Sequence, residues 1–204
     1  METVTNDIST AQRASWNKFS AGWKKWDKLT MEMLRPPGDA IMDHLGAAGT
    51  SVVLDIAAGT GEPGLSIARH LHGGKVIITD LAEHMLEVAK EKAAAEGITN
   101  VEFREADAHA LPFADNAFDE VSCRMGFMFF PDMQQAANEM TRVLKPGGRI
   151  ATSVWAGPKR ISGSPACNRT SKSTSMWRRP NLVHPACSVA HSLALSQAFS
   201  AMLA

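Results

Sequence analysis

The sequence predicts an α/β protein built on a doubly wound, mostly parallel sheet, and three observations predict it. Short β-branched runs alternate with helical patterns across residues 51–154, the order that crossover helices and parallel strands produce. The first run, Val52-Val53-Leu54-Asp55-Ile56, leads at once into Gly59, Gly61 and Gly64, and a helical pattern follows. Asp80, Asp107 and Arg124 fall at or just after the ends of later runs. Open sheets of this class bind ligands at the carboxyl ends of their strands, near a topological switch.

Each element has its own signal. Residues 10–33 read as a helix, with Trp16, Phe19, Trp23 and Trp26 at spacings of three and four on one broad face. Packing on the domain is the simpler account of that face, and a lid over a ligand is the functional one. Pro36-Pro37 opens a second, shorter helix through His44. Strand 51–56 precedes helix 62–71; strand 76–79 precedes helix 82–96, which Gly97 stops. Strand 101–104, a loop through Phe113 and strand 118–124 come next. Helix 133–144 runs into a Lys145-Pro146-Gly147-Gly148 turn, and strand 149–154 closes the series.

Composition bounds the function. The chain has 204 residues, 45% hydrophobic and 21% charged, the make-up of an ordinary globular domain with a sizeable core. No apolar run approaches the ~20 residues of a membrane-spanning helix. The polar, acidic start does not fit a signal or transit peptide. Cys123, Cys167 and Cys187 have neither metal nor disulfide spacing, so a reduced cytoplasmic protein is expected. The zero net charge hides an asymmetry. Residues 1–139 carry all 21 acids and 12 of the 21 Lys and Arg, whereas 140–204 carry no acid. A basic end is one signature of nucleic-acid binding, but the tail suggests another cause, given below.

The glycine turn is ambiguous alone. It lets backbone approach a ligand and opens a helix N-terminus, and it also matches the dinucleotide fingerprint. Asp55 tilts the choice, because an acid at that strand tip repels a pyrophosphate and suits a ligand ammonium. Asp80 lies 19 residues after Gly61, where a carboxylate can accept from both hydroxyls of a ribose. A helix cap is the simpler role, and the two are compatible. Met125, Phe127 and Phe130 follow a buried strand and are core or pocket. His44, His70, His72, His84 and His109 are scattered and read as surface or capping residues. No nucleophile–base pair has supporting spacing.

Taken together, these segments resemble the class I S-adenosylmethionine-dependent methyltransferases, whose first motif is hydrophobics, Asp and a Gly-x-Gly turn. The stretch Ala106-Asp107-Ala108-His109-Ala110-Leu111-Pro112-Phe113 resembles the Asp-Ala-x-x-Leu-Pro-Phe segment of the small-molecule branch, which includes the ubiquinone and menaquinone C-methyltransferases. The resemblance implies a Rossmann-like sheet, S-adenosyl-L-methionine as cofactor and a small-molecule methyl acceptor. It implies cofactor contacts from Asp55, Ala57, Gly59, Thr60, Gly61, Asp80, Leu81, Asp107, Ala108, Arg124 and Met125. Asp107 would accept the adenine amino group, the Ala108 N–H would meet a ring nitrogen, and Arg124-Met125 would pass beside the sulfonium. Ala57-Ala58 replaces the usual small pair before the Gly-Thr-Gly. An NAD(P)-dependent oxidoreductase is the rival reading; Asp55, the Asp107 segment and the absence of any tyrosine weigh against its Tyr-x-x-x-Lys chemistry. A catalytically inactive cofactor-binding remnant is the other.

The resemblance stops after Pro158. Residues 159–204 hold 9 serines and no acid. Read one base earlier, the codons of Met176-Trp177-Arg178-Arg179-Pro180 permit Asp-Val-Ala-Ala, and those after them permit a Pro-, Gly-, Met- and Phe-rich run like the family's own continuation. The expectation is a frameshifted tail whose basic charge is incidental, so nucleic acid is not an expected partner. The division expected is a helical lid over 1–50, a cofactor-binding core over 51–158 and a non-native or disordered tail over 159–204. Without the family's last strand pair, strand 149–154 is expected to be a bare edge.

Overall fold

The computed structural model describes residues 2–155 and 175–177. Strands β1 (Val52–Ile56), β2 (Lys75–Asp80), β3 (Val101–Glu105), β4 (Phe118–Arg124), β5 (Leu144–Ser153) and β6 (Ser175–Trp177) form one sheet in the order β3-β2-β1-β4-β5-β6. The first five run parallel and β6 lies antiparallel to β5. Helices α1 (Glu2–Leu45), α2 (Gly64–His70), α3 (Glu83–Ala95) and α4 (Met133–Val143), with a short 3-10 turn at Phe127–Phe129, are the helical elements among the described residues. This is the Rossmann-like α/β sheet expected from the sequence. The chain leaves β1 in one direction through β2 and β3, then crosses to the other side for β4 and β5. The switch point therefore lies between the carboxyl ends of β1 and β4.

Side-chain alternation along the strands feeds two apolar layers. Val53, Val76 and Ile78 join Leu65, Leu86, Ile41 and Leu45 on one face. Leu54, Ile56, Ile77 and Val121 join Met140, Val143 and Leu111 on the other. The middle strands are covered on both faces, which is why they read as continuous hydrophobic runs.

Three expectations are corrected. First, α1 is one helix; Pro36 and Pro37 lie inside it. Each proline removes a helical N–H donor, but Leu34, Ile41 and Leu45 are buried on the same stretch. Burial of such side chains contributes about 1.5–3 kcal/mol each and carries the helix across. Gly46 then stops it in the left-handed region, with φ 58° and its N–H on the Met42 carbonyl. Second, β5 begins at Leu144, so the expected turn at 145–148 is part of the strand. Leu144 pairs with Phe118, and an irregularity absorbs the glycines before Arg149 pairs with Glu120. Third, the edge of β5 is not bare. Ile150, Ala151 and Thr152 pair with Trp177, Met176 and Ser175, which satisfies part of a row of free N–H and C=O groups. The rest of the expected tail lies outside the described residues.

Candidate functional site

The turn after β1 is built around a buried carboxylate. Asp55 is fully buried; its Oδ2 accepts the Gly64 N–H at 2.8 Å and its Oδ1 accepts the Ser122 hydroxyl at 2.6 Å. Burial pushes its pKa up to about 7, against the pull of those two donors. A Cβ on Gly64 would stand 2.8 Å from Asp55 Oδ2 and 3.0 Å from Ile78 Cγ1. The acid therefore shapes the turn from below, with both oxygens bonded within the fold. Gly61 is also structural. Its φ is 99°, and a Cβ there would meet Leu65 Cδ1 at 2.8 Å and Ala89 Cβ at 3.0 Å.

Above this turn lies a cavity of about 610 Å³ at the carboxyl ends of the strands. Ala57, Gly59, Thr60, Asp80, Leu81, Asp107, Ala108, Arg124 and Met125 all line it, so the structure brings together nine of the eleven residues singled out from sequence. Asp80 Oδ2 accepts the Gly59 N–H at 2.8 Å and Oδ1 accepts the Ala82 N–H at 2.9 Å. Burial raises its pKa, opposed by these backbone donors. Its cap-like bond to Ala82 coexists with a place on the cavity wall.

Two strand ends meet under strain. Ala57 after β1 and Met125 after β4 hold φ of 52° and 60°, a region that costs non-glycine residues roughly 1–3 kcal/mol. Gly126 makes their approach possible, since a Cβ on it would lie 2.6 Å from Ala57 Cβ.

The loop after β3 is held rigidly. Arg142 on α4 donates to the Phe113 and Leu111 carbonyls at 2.8 and 2.9 Å, and Glu139 accepts the Leu111 N–H at 2.8 Å. That fixes Asp107, whose Oδ1 accepts the His109 N–H at 2.9 Å and lies 2.5 Å from His109 Nδ1. Burial raises the Asp107 pKa, but His109 and the Ser9 hydroxyl outweigh it and hold the carboxyl below its usual value. His109, read from the sequence as a surface or capping residue, is buried. Its Nε2 lies 3.3 Å from the Asp132 N–H.

Helix α1 crosses the mouth. Trp16, Phe19 and Trp23 line the cavity, whereas Trp26 is exposed; the aromatic face seen in the sequence thus divides between site and solvent. Phe130 also lines the cavity, and Phe127 packs against the core below. Polar contacts fasten the helix. Gln12 Nε2 donates to the Phe129 carbonyl at 2.7 Å, Asn17 Oδ1 accepts the His84 N–H at 3.0 Å, and Asp27 accepts the Thr60 hydroxyl at 2.8 Å and the Lys92 ammonium at 3.0 Å. Sequence reasoning missed Asp27 and Lys92, since nothing local marks a contact 65 residues apart. Among the described residues no His, Cys, Asp or Glu cluster could hold a metal, and no helix is long and apolar enough to cross a membrane.

Comparison with known proteins agrees with this geometry. Residues 24–160 match the model of the ubiE/COQ5 methyltransferase family. A demethylmenaquinone methyltransferase of Thermus thermophilus is 44% identical over 108 residues, 53% of this chain and 49% of that protein. An uncharacterized protein of Mycobacterium tuberculosis is 41% identical over 137 residues, 66% of this chain and 49% of its own length. Among solved structures, a SAM-dependent methyltransferase from Aquifex aeolicus shares 26% identity with a TM-score of 0.56, over 63% of this chain and 69% of that one. The chain spans about half the length of the curated relatives it matches.

Proposed function

Because the chain belongs to the ubiE/COQ5 methyltransferase family, we propose that it binds S-adenosyl-L-methionine and transfers the methyl group to a small-molecule acceptor. The observation that carries this reading is the pair Asp80 and Asp107 at adjacent strand ends, both lining one cavity beside the glycine turn. The donor set fits the cofactor. Asp80, fixed by the Gly59 and Ala82 N–H groups, has lone pairs left for a ribose diol. Asp107, held ionised by His109 and Ser9, is an acceptor for an adenine amino group, and the Ala108 N–H lies beside it in sequence. The cofactor carries no phosphate, so no phosphate clamp is needed.

The cofactor supplies an activated methyl on a sulfonium. This chain's own residues bind, orient and exclude water. Alignment of donor and acceptor alone can lower a barrier by about 7–11 kcal/mol. Trp16, Phe19 and Trp23 from α1, with Met128, Phe129 and Phe130 after β4, make the other half of the cavity apolar and aromatic. That half suits a flat, poorly hydrated acceptor. With α1 fastened to Thr60 and Lys92 through Asp27, its role is a lid over both ligands. The compartment that agrees with this chemistry is the cytoplasm.

The test is turnover by the full chain. Incubation with methyl-labelled S-adenosylmethionine and a panel of phenolic and hydroquinone acceptors should yield S-adenosylhomocysteine together with labelled acceptor. Binding without transfer to any acceptor would instead favour a cofactor-binding remnant.

A further inference from the structure

His109 meets a single oxygen of Asp107 twice. Its backbone N–H reaches Oδ1 at 2.9 Å and its ring Nδ1 lies 2.5 Å from the same atom. A ring nitrogen and a carboxylate oxygen come that close only with a proton between them. The Ser9 hydroxyl on α1 supplies a third hydrogen bond to this carboxylate. An ionised carboxylate has about four acceptor sites, so about one stays open toward the cavity that Asp107 lines. The ring that does the bracing is itself held on several sides. Its side chain is only 7% exposed, it packs edge-on against Phe130 with centroids 5.8 Å apart, and Nε2 lies 3.3 Å from the Asp132 N–H. The His109 carbonyl also accepts from Gln135 Nε2 at 2.9 Å. Asp132 is the N-cap of α4, so the start of that helix holds the imidazole and the imidazole holds the acid. The last torsion of an aspartate is soft, and without this brace the carboxylate would swing.

We propose that His109 is a positioning residue that sets the base specificity of the cavity: it fixes Asp107 as a pure acceptor with one open site, which takes an amino-bearing purine and rejects its keto counterpart. The proposal rests on the cofactor-binding reading and adds to it a residue that acts through Asp107. A keto oxygen placed against that open site sets acceptor against acceptor, and a carboxylate left unpaired in a partly buried site is costly. A loosely held carboxylate escapes the clash by rotating away or by taking a proton and becoming a donor. The brace closes the first route through the held ring, and the two His109 contacts on Oδ1 oppose the second.

The test is calorimetry on the full chain with S-adenosylhomocysteine and with S-inosylhomocysteine, in which a keto oxygen replaces the adenine amino group. The quantity read is the ratio of the two affinities, in wild type, His109→Asn and His109→Gln. Asn places an amide donor near the position of Nδ1 and so keeps the contact to Asp107; Gln places its amide near Nε2 and keeps only the side toward Asp132. The Asn variant should hold the wild-type ratio within about threefold, and the Gln variant should lose about tenfold of it or more. A ring that merely packs or caps α4 gives the reverse order, or an equal loss of both ligands in both variants. Either of those results overturns the proposal, as does a ratio that neither variant changes. Should a variant not fold, the ring nitrogens of wild-type His109 read the same contact by NMR. Saturating S-adenosylhomocysteine should then move the Nδ1 resonance more than the Nε2 resonance, and an unmoved Nδ1 overturns the proposal. Wild type that does not bind S-adenosylhomocysteine fails the proposed function itself, whereas wild type that binds it with no preference over S-inosylhomocysteine fails the role of His109 alone.

Discussion

The Gly59 N–H donates to Asp80 Oδ2 at 2.8 Å, joining the turn after β1 to the tip of β2. One carboxylate thus shapes the glycine turn and faces the cavity that the turn walls. Asp80→Ala should remove both contributions. The expected loss in affinity for S-adenosylhomocysteine is about 1.5–3 kcal/mol, the range for hydrogen bonds to a charged group. Calorimetry on the folded variant checks it, and unchanged affinity would remove Asp80 from the site.

Asp107 should select adenine. Asp107→Asn keeps the shape but can present amide donors where the adenine amino group needs an acceptor. S-Adenosylhomocysteine should bind more weakly, and the analogue with a keto group at that ring position should lose less. Equal losses for the two ligands would show that Asp107 does not read the base.

Gly64 tests the buried acid below. Its missing Cβ would overlap Asp55 Oδ2 at 2.8 Å and press on Ile78, so Gly64→Ala should cost about 1–3 kcal/mol by overpacking. Urea unfolding measures this directly. A change within about 0.5 kcal/mol, as at ordinary surface positions, would mean that the turn is not packed as described.

Asp55 also predicts a pH dependence. Its folded pKa is raised from 3.8 to about 7 by burial, so the folded state binds the proton more tightly than the unfolded chain does. Its stabilising contribution is full below about pH 4 and is lost as pH rises through about 7. Asp55→Asn cannot ionise. The stability of wild type relative to Asp55→Asn should therefore fall between pH 4 and pH 7. A difference that stays flat or grows over that window would contradict the buried, proton-binding acid.

The strands and glycine turn were legible because their signals are local: β-branched runs, glycines where φ is positive, and acids at strand ends. The boundaries of β4 and the start of α4 come out as read, the latter because Asp132 caps it by accepting the Gln135 N–H. Misreadings arose where distant packing overrides local preference. Pro36-Pro37 suggested a break, yet Ile41 and Leu45 bury against the sheet beyond it. The Asp55 bond to Ser122 comes from the neighbouring strand, a partner no local pattern shows. His109 reads as a surface or capping residue, yet it is buried where the Asp132 N–H at the start of α4 meets its ring. The Asp27 contacts to Thr60 and Lys92 depend wholly on how α1 lies across the sheet, which no short pattern encodes.

Whether the cavity over the glycine turn is an S-adenosylmethionine site is decided by titrating the full chain with S-adenosylhomocysteine and, separately, with NADH. S-Adenosylhomocysteine should bind saturably, Asp80→Ala should weaken it, and the dinucleotide should not bind. Binding of NADH without S-adenosylhomocysteine would make the cavity a dinucleotide site instead.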